Sequence, residues 1–277
     1  MNLRRTLLAA LAMSLGCLSL SPALAQDKPP LKILVGFPPG GSADVLARLI
    51  GDAIKDDFAS VVVDNKPGAG GRLALTLTRQ AKADGQTVVI LPSGPMVLFP
   101  HVYKKLEYDA VKDFTPVSQI ARFQFGVVAG PASPAKNVAE MVARAKADPK
   151  TATYGTPGQG TLPHFMGVLL EQSTGAAFTH VPFQGGAPAN TALLGGHIES
   201  LMSAFPSLSG AATSNQVKLL AANSLQRSSQ APDLPAISEI IPGFDFAPLV
   251  GFYGRTGIPA PVLEKIGSEV IADPRWM

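Results

Sequence analysis

The stretch Leu31-Lys32-Ile33-Leu34-Val35-Gly36-Phe37-Pro38-Pro39-Gly40-Gly41-Ser42-Ala43-Asp44 sets the fold class. Its first seven residues form an almost continuous apolar run, as expected of a strand covered on both faces. Two prolines and two glycines stop the run. Leu46, Leu49, Ile50, Ala53 and Ile54 then recur at helical spacing, with Ser42 the expected N-cap and Asp44 in the first turn. Val61-Val62-Val63 reads as the next strand and Asn65 to Gly71 as a loop. A helix to about Ala83 and a third strand from Thr87 to Leu91 follow. This alternation predicts a parallel sheet with right-handed crossovers.

The pattern restarts further on. Phe125 to Ala129 reads as a strand, Val138 to Ala147 as a helix and Thr153 to Gly155 as a short strand before the loop Pro157 to Thr161. A helix from about Leu162 to Gln172, a strand Phe178 to Phe183 and a loop Gln184 to Pro188 follow. Further strands are expected at Ile198 to Met202, Val217 to Ala222 and Leu249 to Tyr253, with a closing helix from Pro261 to Ile271. So many strand candidates favour two α/β lobes over one sheet. No repeat at a solenoid period is visible.

Composition narrows the function. The 277 residues are 46% hydrophobic and 16% charged, and 23 basic against 20 acidic side chains exclude a strongly basic nucleic-acid binder and an acidic disordered tail. Arg4 and Arg5 precede the apolar run Leu7 to Leu20 and the A-x-A site Ala23-Leu24-Ala25, the three parts of a secretory signal peptide over residues 1–25. Removing it lowers the net formal charge from +3 to +1. The one cysteine, Cys17, lies in that leader, and Ser14-Leu15-Gly16 before it is a poor lipoprotein signal, so a lipid anchor is not expected. Without Cys17 the chain has no disulfide, thiolate-held zinc or cysteine nucleophile.

Gly36 to Ser42 nearly matches a phosphate loop, but Ser42 stands where the lysine must be and two prolines remove N–H donors. That argues against nucleotide hydrolysis while keeping the logic of an anion cradle at a helix start. An ordinary tight turn would use the same residues. Gly158-Gln159-Gly160-Thr161 repeats the arrangement, with His164 in the first helical turn as a neutral donor or a packing side chain. Gln184 to Pro188 is a third such turn. There is no G-x-S-x-G, no H-E-x-x-H, and no metal-spaced pair among His101, His164, His180 and His197. Three glycine-rich turns without a nucleophile point to binding without turnover, with neither cofactor nor metal.

These residues resemble one family. Phe37 to Ser42 with Asp44 and Arg48, Asn65 to Gly71, Tyr108-Asp109 with Lys112-Asp113-Phe114, and Gly158 to Thr161 with His164 carry the likeness. His180 to Ala189, Leu194-Gly195-Gly196, Arg227-Ser228 and Pro232 to Pro235 extend it along nearly the whole chain. The chain is similar to the Bug family, the TctC-like periplasmic substrate-binding proteins of tripartite tricarboxylate transporters. The resemblance implies a type II-like two-lobed binding protein, each lobe a mixed, mostly parallel sheet flanked by helices, closing on a small carboxylate. It places the first lobe at 26–123, the second at 124–222 and the return to the first at 223–277. Carried over residue by residue, the implied ligand contacts are Phe37, Gly40, Gly41, Ser42 and Asp44 from the first loop, and Ser93 and Gly94. The second lobe adds Gly160, Thr161, His164, Gly185, Gly186, Ala187, Pro188 and Ser203.

The implied partners are membrane permease subunits or a sensor protein, with no nucleic acid. The chain departs from the family at Ser203-Ala204, at Arg72-Leu73-Ala74 and at Arg122-Phe123-Gln124. Family members continue beyond the stretch resembling Ala272-Asp273-Pro274, and this chain stops at Met277, which predicts apolar surface left open on the first lobe. A hydrolase or isomerase on the same scaffold, using His164 or Asp44, and a shortened paralogue that does not bind are the alternatives. The sequence does not name the acid.

Overall fold

The computed structural model describes residues 28–122, 124–150, 152–205, 208–227, 232–241 and 248–272. The expected leader with Cys17 lies outside them, as do Phe123, Ser228, Asp273 and Pro274. Among the described residues no helix is long and apolar enough to cross a membrane.

Strands β1 (Leu31–Val35), β2 (Val61–Asn65), β3 (Thr87–Pro92), β4 (Phe114–Arg122) and β10 (Leu249–Arg255) form one sheet in the order β2-β1-β3-β10-β4. β1 runs parallel to β2 and β3, with Ile33 opposite Val63 and Val88, and β10 runs antiparallel to β3 and β4. The apolar run at 31–35, broken only by the exposed Lys32, is nearly continuous because both faces are covered. Leu31, Ile33 and Val35 pack with Ala47 and Ile50 of helix α1 (Ser42–Ala53) and with Ile54 just after it, while Leu34 packs with Ala74 and Leu75 of α2 (Arg72–Gln80). β3 divides the same way, Val88 and Ile90 to one face and Val89 and Leu91 to the other, as a strand period of two requires. Each such side chain, once removed from water, contributes about 1.5–3 kcal/mol.

The second sheet has the order β7-β6-β8-β5-β9, from β5 (Phe125–Ala129), β6 (Thr153–Thr156), β7 (Thr179–Pro182), β8 (Ser200–Ala204) and β9 (Lys218–Ala222). β6 is parallel to β7 and β8, and β5 is antiparallel to β8 and β9. Helices α5 (Val138–Ala147) and α6 (Leu162–Thr174) cover one face and α7 (Gly186–Leu194) the other. The two lobes are thus topological counterparts. In each, the reversed strand is the one that enters from the other lobe, β5 directly after β4 and β10 after β9. Short helices α3 (Gly94–Val97), α4 (Phe99–Val102) and α8 (Ser209–Thr213) sit in connections, and α9 (Ala260–Ala272) packs Ile266 and Val270 on the first sheet.

Several expectations change. Ser42 is not the N-cap: Gly41 is, extended at φ −80° and ψ 165°, and Ser42 is the first helical residue. The second helix stops at Gln80, where Ala81 is extended. The expected loop at 184–188 becomes helix from Gly186. β4 is an additional strand; only Phe114 and Ile120 are buried along it and it carries Pro116, which an edge strand tolerates. The chain also stays with the second lobe past residue 222. Ala222 bridges Ala236, and Ile237 and Ile241 pack in the cluster of Phe125 and Met202, so the expected return at 223 falls later. On the first lobe Val45 and Leu49 of α1 and Val62 of β2 are about half exposed.

Candidate functional site

The C-terminal ends of β1, β3, β6, β7 and β8 face one another across the gap between the sheets. That end of a parallel strand is where open α/β sheets bind ligands. The cleft there has about 650 Å³ of space, counting its open mouth. Phe37, Gly41, Ser42, Ala43 and Gly70 line it from the first lobe, with Pro92, Gly94 and Pro95. Phe125, Pro157, Thr161, Leu162 and Pro163 line it from the second, with Gly186, Ser203 and Ala204. No charged side chain is among these lining residues.

Three helices begin at this cleft, and none of the three is capped by a side chain: α1 after Gly41, α6 after Thr161 and α7 after Gly185. The Thr161 hydroxyl donates to the Gly158 carbonyl at 2.6 Å instead. Helix α5, outside the cleft, has its cap in full. Asn137 accepts from the Glu140 N–H at 2.8 Å, and Glu140 accepts from the Lys136 N–H at 2.8 Å. The first-turn N–H groups of α1, α6 and α7 therefore have neither an intrahelical nor a capping partner, and the positive ends of three helix dipoles converge on the cleft. Pro163 and Pro188 each subtract one donor from those turns.

Polar side chains hold the loops from behind. Asp44 is buried, and its carboxylate accepts from the Gly40 N–H at 2.9 Å, Asn65 Nδ2 at 2.9 Å and Arg48 Nε at 3.1 Å, with Arg48 Nη2 at 3.0 Å. Asn65 also donates to the Phe37 carbonyl at 3.0 Å. Burial pushes the Asp44 carboxyl up, but the bonds from Arg48, Gly40 and Asn65 outweigh it and hold it below the usual carboxylate range.

In the second lobe the Gly160 N–H donates to His164 Nδ1 at 3.1 Å, and Thr156 Oγ1 meets His180 Nε2 at 2.7 Å. The His164 and His180 rings stack at 4.2 Å, and Tyr154 stacks on the other face of His180 at 4.8 Å. Burial, and then the neighbouring His164, push His180 down to about 4; burial also lowers His164. Both imidazoles are thus neutral near pH 7, and His164 accepts through Nδ1 rather than donating.

The lobes touch across the cleft. The Tyr103 hydroxyl donates to the Gln159 carbonyl at 3.4 Å. A Cβ at Gly185 would lie 2.6 Å from Pro38 Cδ, and one at Gly160 2.6 Å from the Tyr103 hydroxyl. Both glycines also hold positive φ, +133° and +77°, so these close approaches are glycine positions twice over.

Of the residues singled out from sequence, Phe37, Gly41, Ser42, Gly94, Thr161, Gly186 and Ser203 line the cleft. Gly40, Asp44, Ser93, Gly160, His164, Gly185, Ala187 and Pro188 are not among its lining residues. Gly40, Asp44, Gly160 and His164 are instead the donors and acceptors that hold its loops. Arg122 is exposed and does not line it. The sequence reading did not place Ala43, Gly70, Pro92, Pro95, Phe125, Pro157, Leu162, Pro163 or Ala204 in the site. Their one signal is position, at strand ends and helix starts.

Residues 46–272 match the model of the tripartite tricarboxylate transporter family receptor. The chain belongs to that family. A curated relative, a UPF0065 protein of Bordetella bronchiseptica, is 33% identical over 279 residues, covering 99% of this chain and 82% of its own. Among solved structures, the periplasmic binding protein BugD superposes with a TM-score of 0.83 at 28% identity, covering 90% of this chain and 84% of BugD. R. palustris Rpa4515 with adipate also gives 0.83 at 28% identity, over 88% and 82% of the two chains. The receptor therefore has the two-lobed fold of periplasmic solute-binding proteins.

Proposed function

We propose that this receptor captures a small carboxylate between its lobes and delivers it, chemically unchanged, to the membrane subunits of a tripartite tricarboxylate-type transporter. The observation that carries this reading is the missing side-chain cap at Gly41, Thr161 and Gly185, on three helices that start at one cavity. A carboxylate supplies the acceptor oxygens those N–H groups lack and sits at the positive ends of the dipoles. The adipate of Rpa4515 is a ligand of the same chemistry. The leader at 1–25 supports export to the periplasm, where the ligand would be met. A sensor protein is an alternative recipient.

A hydrolase or isomerase would need a base aimed at the ligand. Asp44 accepts from Gly40, Asn65 and Arg48, and His164 Nδ1 accepts from Gly160, so both candidate bases are committed to holding loops. The test is a melting screen of the purified protein against small carboxylates, with recovery of the bound acid. A ligand at a hundred times its Kd stabilises by about 2.7 kcal/mol, roughly 5–10 °C for a chain of this size. A shift with the acid recovered intact supports the reading. A panel of carboxylates without a shift, or accumulation of product, overturns it.

A further inference from the structure

We infer that Tyr103, braced by Arg72, is a positioning residue for the cleft. It holds the second lobe's glycine turn against the first lobe and so sets how firmly the receptor keeps its ligand. The contact is the same whichever acid binds; its consequence for capture rests on the carboxylate reading above. Tyr103 directly follows α4 in the first lobe and does not line the cavity. Its ring meets Phe99 edge-on at 4.9 Å, and the Arg72 guanidinium lies over it at 4.4 Å. Arg72 opens α2, is half-buried, donates to the Ala69 carbonyl at 3.1 Å and meets Glu107 at 3.9 Å. It therefore ties the ring to the turn Ala69–Gly71, whose Gly70 lines the cavity.

Across the cleft, Gly160 lies so close that a Cβ there would be 2.6 Å from the Tyr103 hydroxyl and 3.2 Å from Cζ. Beside it, a Cβ at Gly70 would be 3.1 Å from Phe99 Cζ and 3.8 Å from Thr161 Cγ2, and one at Gly158 would be 3.9 Å from Gly70 Cα. The turn Gly158 to Thr161 thus rests on a first-lobe platform of Gly70, Phe99 and Tyr103. This turn leads into the uncapped start of α6. His164 holds Gly160 from its own lobe, and Tyr103 meets it from the other. The Tyr103 hydroxyl reaches the Gln159 carbonyl at 3.4 Å, long for such a bond, so the ring and its cation carry more of the hold than the hydroxyl does. Parting the lobes breaks the contacts to Gln159 and Gly160 but leaves Arg72, Phe99 and Tyr103 together on the first lobe, a seat already built for the returning turn.

The test is amide hydrogen exchange of the purified protein without added ligand, read on a peptide spanning 157–165, with 138–147 of the same lobe as reference. Tyr103→Leu removes the ring and is expected to speed exchange at 157–165 about two- to tenfold while 138–147 stays as it is. A substitution that merely loosened the first lobe would not reach a peptide of the second. Tyr103→Phe, which keeps the ring, should stay within about twofold of wild type, and Arg72→Gln should fall between the two. Unchanged exchange at 157–165 in both Tyr103→Leu and Arg72→Gln overturns the inference. If Tyr103→Leu does not fold, Arg72→Gln decides alone. Stopped-flow binding of adipate, malate and benzoate reads the consequence for capture. An acid that binds should leave Tyr103→Leu about two- to tenfold faster than wild type, with association little changed. Equal dissociation rates overturn the role in retention. Silence from all three acids overturns the carboxylate reading and that role with it, while exchange still decides the contact.

Discussion

Replacing Asp44 by alanine asks whether the first cleft loop is held by a buried carboxylate behind it. That carboxylate receives the Gly40 N–H and Asn65 Nδ2, each at 2.9 Å, and two nitrogens of Arg48. The Arg48 side chain is 53% exposed, so water takes over most of its part, leaving about 0–1 kcal/mol for that pair. The bonds from Gly40 and Asn65 are to a charged acceptor, worth about 1.5–3 kcal/mol each where fully buried. Gly40 itself is exposed and Asn65 keeps its bond to the Phe37 carbonyl, which lowers both. The expected loss is roughly 2–4 kcal/mol, or about 5–12 °C of melting temperature for a chain of this length.

The effect carries a pH signature. The native carboxyl lies below its unfolded value, so its contribution is complete above about pH 4 and is lost as the pH falls through the native pKa. Calorimetric melts of the wild type and Asp44→Ala should therefore differ at neutral pH and converge in acid. Asp44→Asn, which keeps one acceptor oxygen, should fall between them. A variant that melts within about 1 °C of wild type at neutral pH, or a gap that persists unchanged in acid, would refute the argument.

Three other outcomes are expected. Gly185→Ala puts a Cβ 2.6 Å from Pro38 Cδ at a φ of +133°, and strain of about 1–3 kcal/mol should weaken ligand binding roughly tenfold to a hundredfold. Small-angle scattering would check it, since ligand that still compacts the variant would contradict the contact. His180, held down at about 4, and His164, also lowered, exclude protons that the unfolded chain accepts below about 6.5, so stability should climb between about pH 4 and 6.5. An NMR titration placing His180 near 6.5 would sink this, and His180→Gln should flatten the climb. Asn137→Ala removes the cap of α5 and should cost about 1 kcal/mol of stability without changing affinity, a control read by melting and titration together.

What was legible in the sequence follows from how much each element buries. β1 and β3 are covered on both faces, so apart from Lys32 their residues form nearly continuous apolar runs. β4 escaped because it lies at a sheet edge, buries only Phe114 and Ile120, and reads as polar around Pro116. The start of α7 looked like a turn because its cap, Gly185, holds a conformation reserved for glycine. In the cleft the glycine turns stood out, since positive φ and close approach leave a mark in residue type. The apolar wall did not. Phe125, Leu162 and Pro95 are residues that any strand end or helix start can use, and only the pairing of the two sheets makes them neighbours. Asp44 and His164 show the converse, polar residues in a binding motif that act on the loop rather than on the cavity.

That division of labour also bears on how such a cleft changes its ligand. In the proposed cradle the donors to the carboxylate are main-chain N–H groups, fixed by Gly41, Thr161 and Gly185 and by supports at Asp44, Asn65, His164 and His180 that do not line the cavity. Substitutions at Phe37, Phe125, Ser203 or Ala204 can therefore alter the tail that fits while the carboxylate cradle stays as it is. The same construction favours release. With no charged side chain among the described residues of the wall, opening the lobes in the proposed cycle need not separate a desolvated ion pair. A cleft that must surrender its ligand to a membrane partner gains from holding it by dipoles and hydrogen bonds alone.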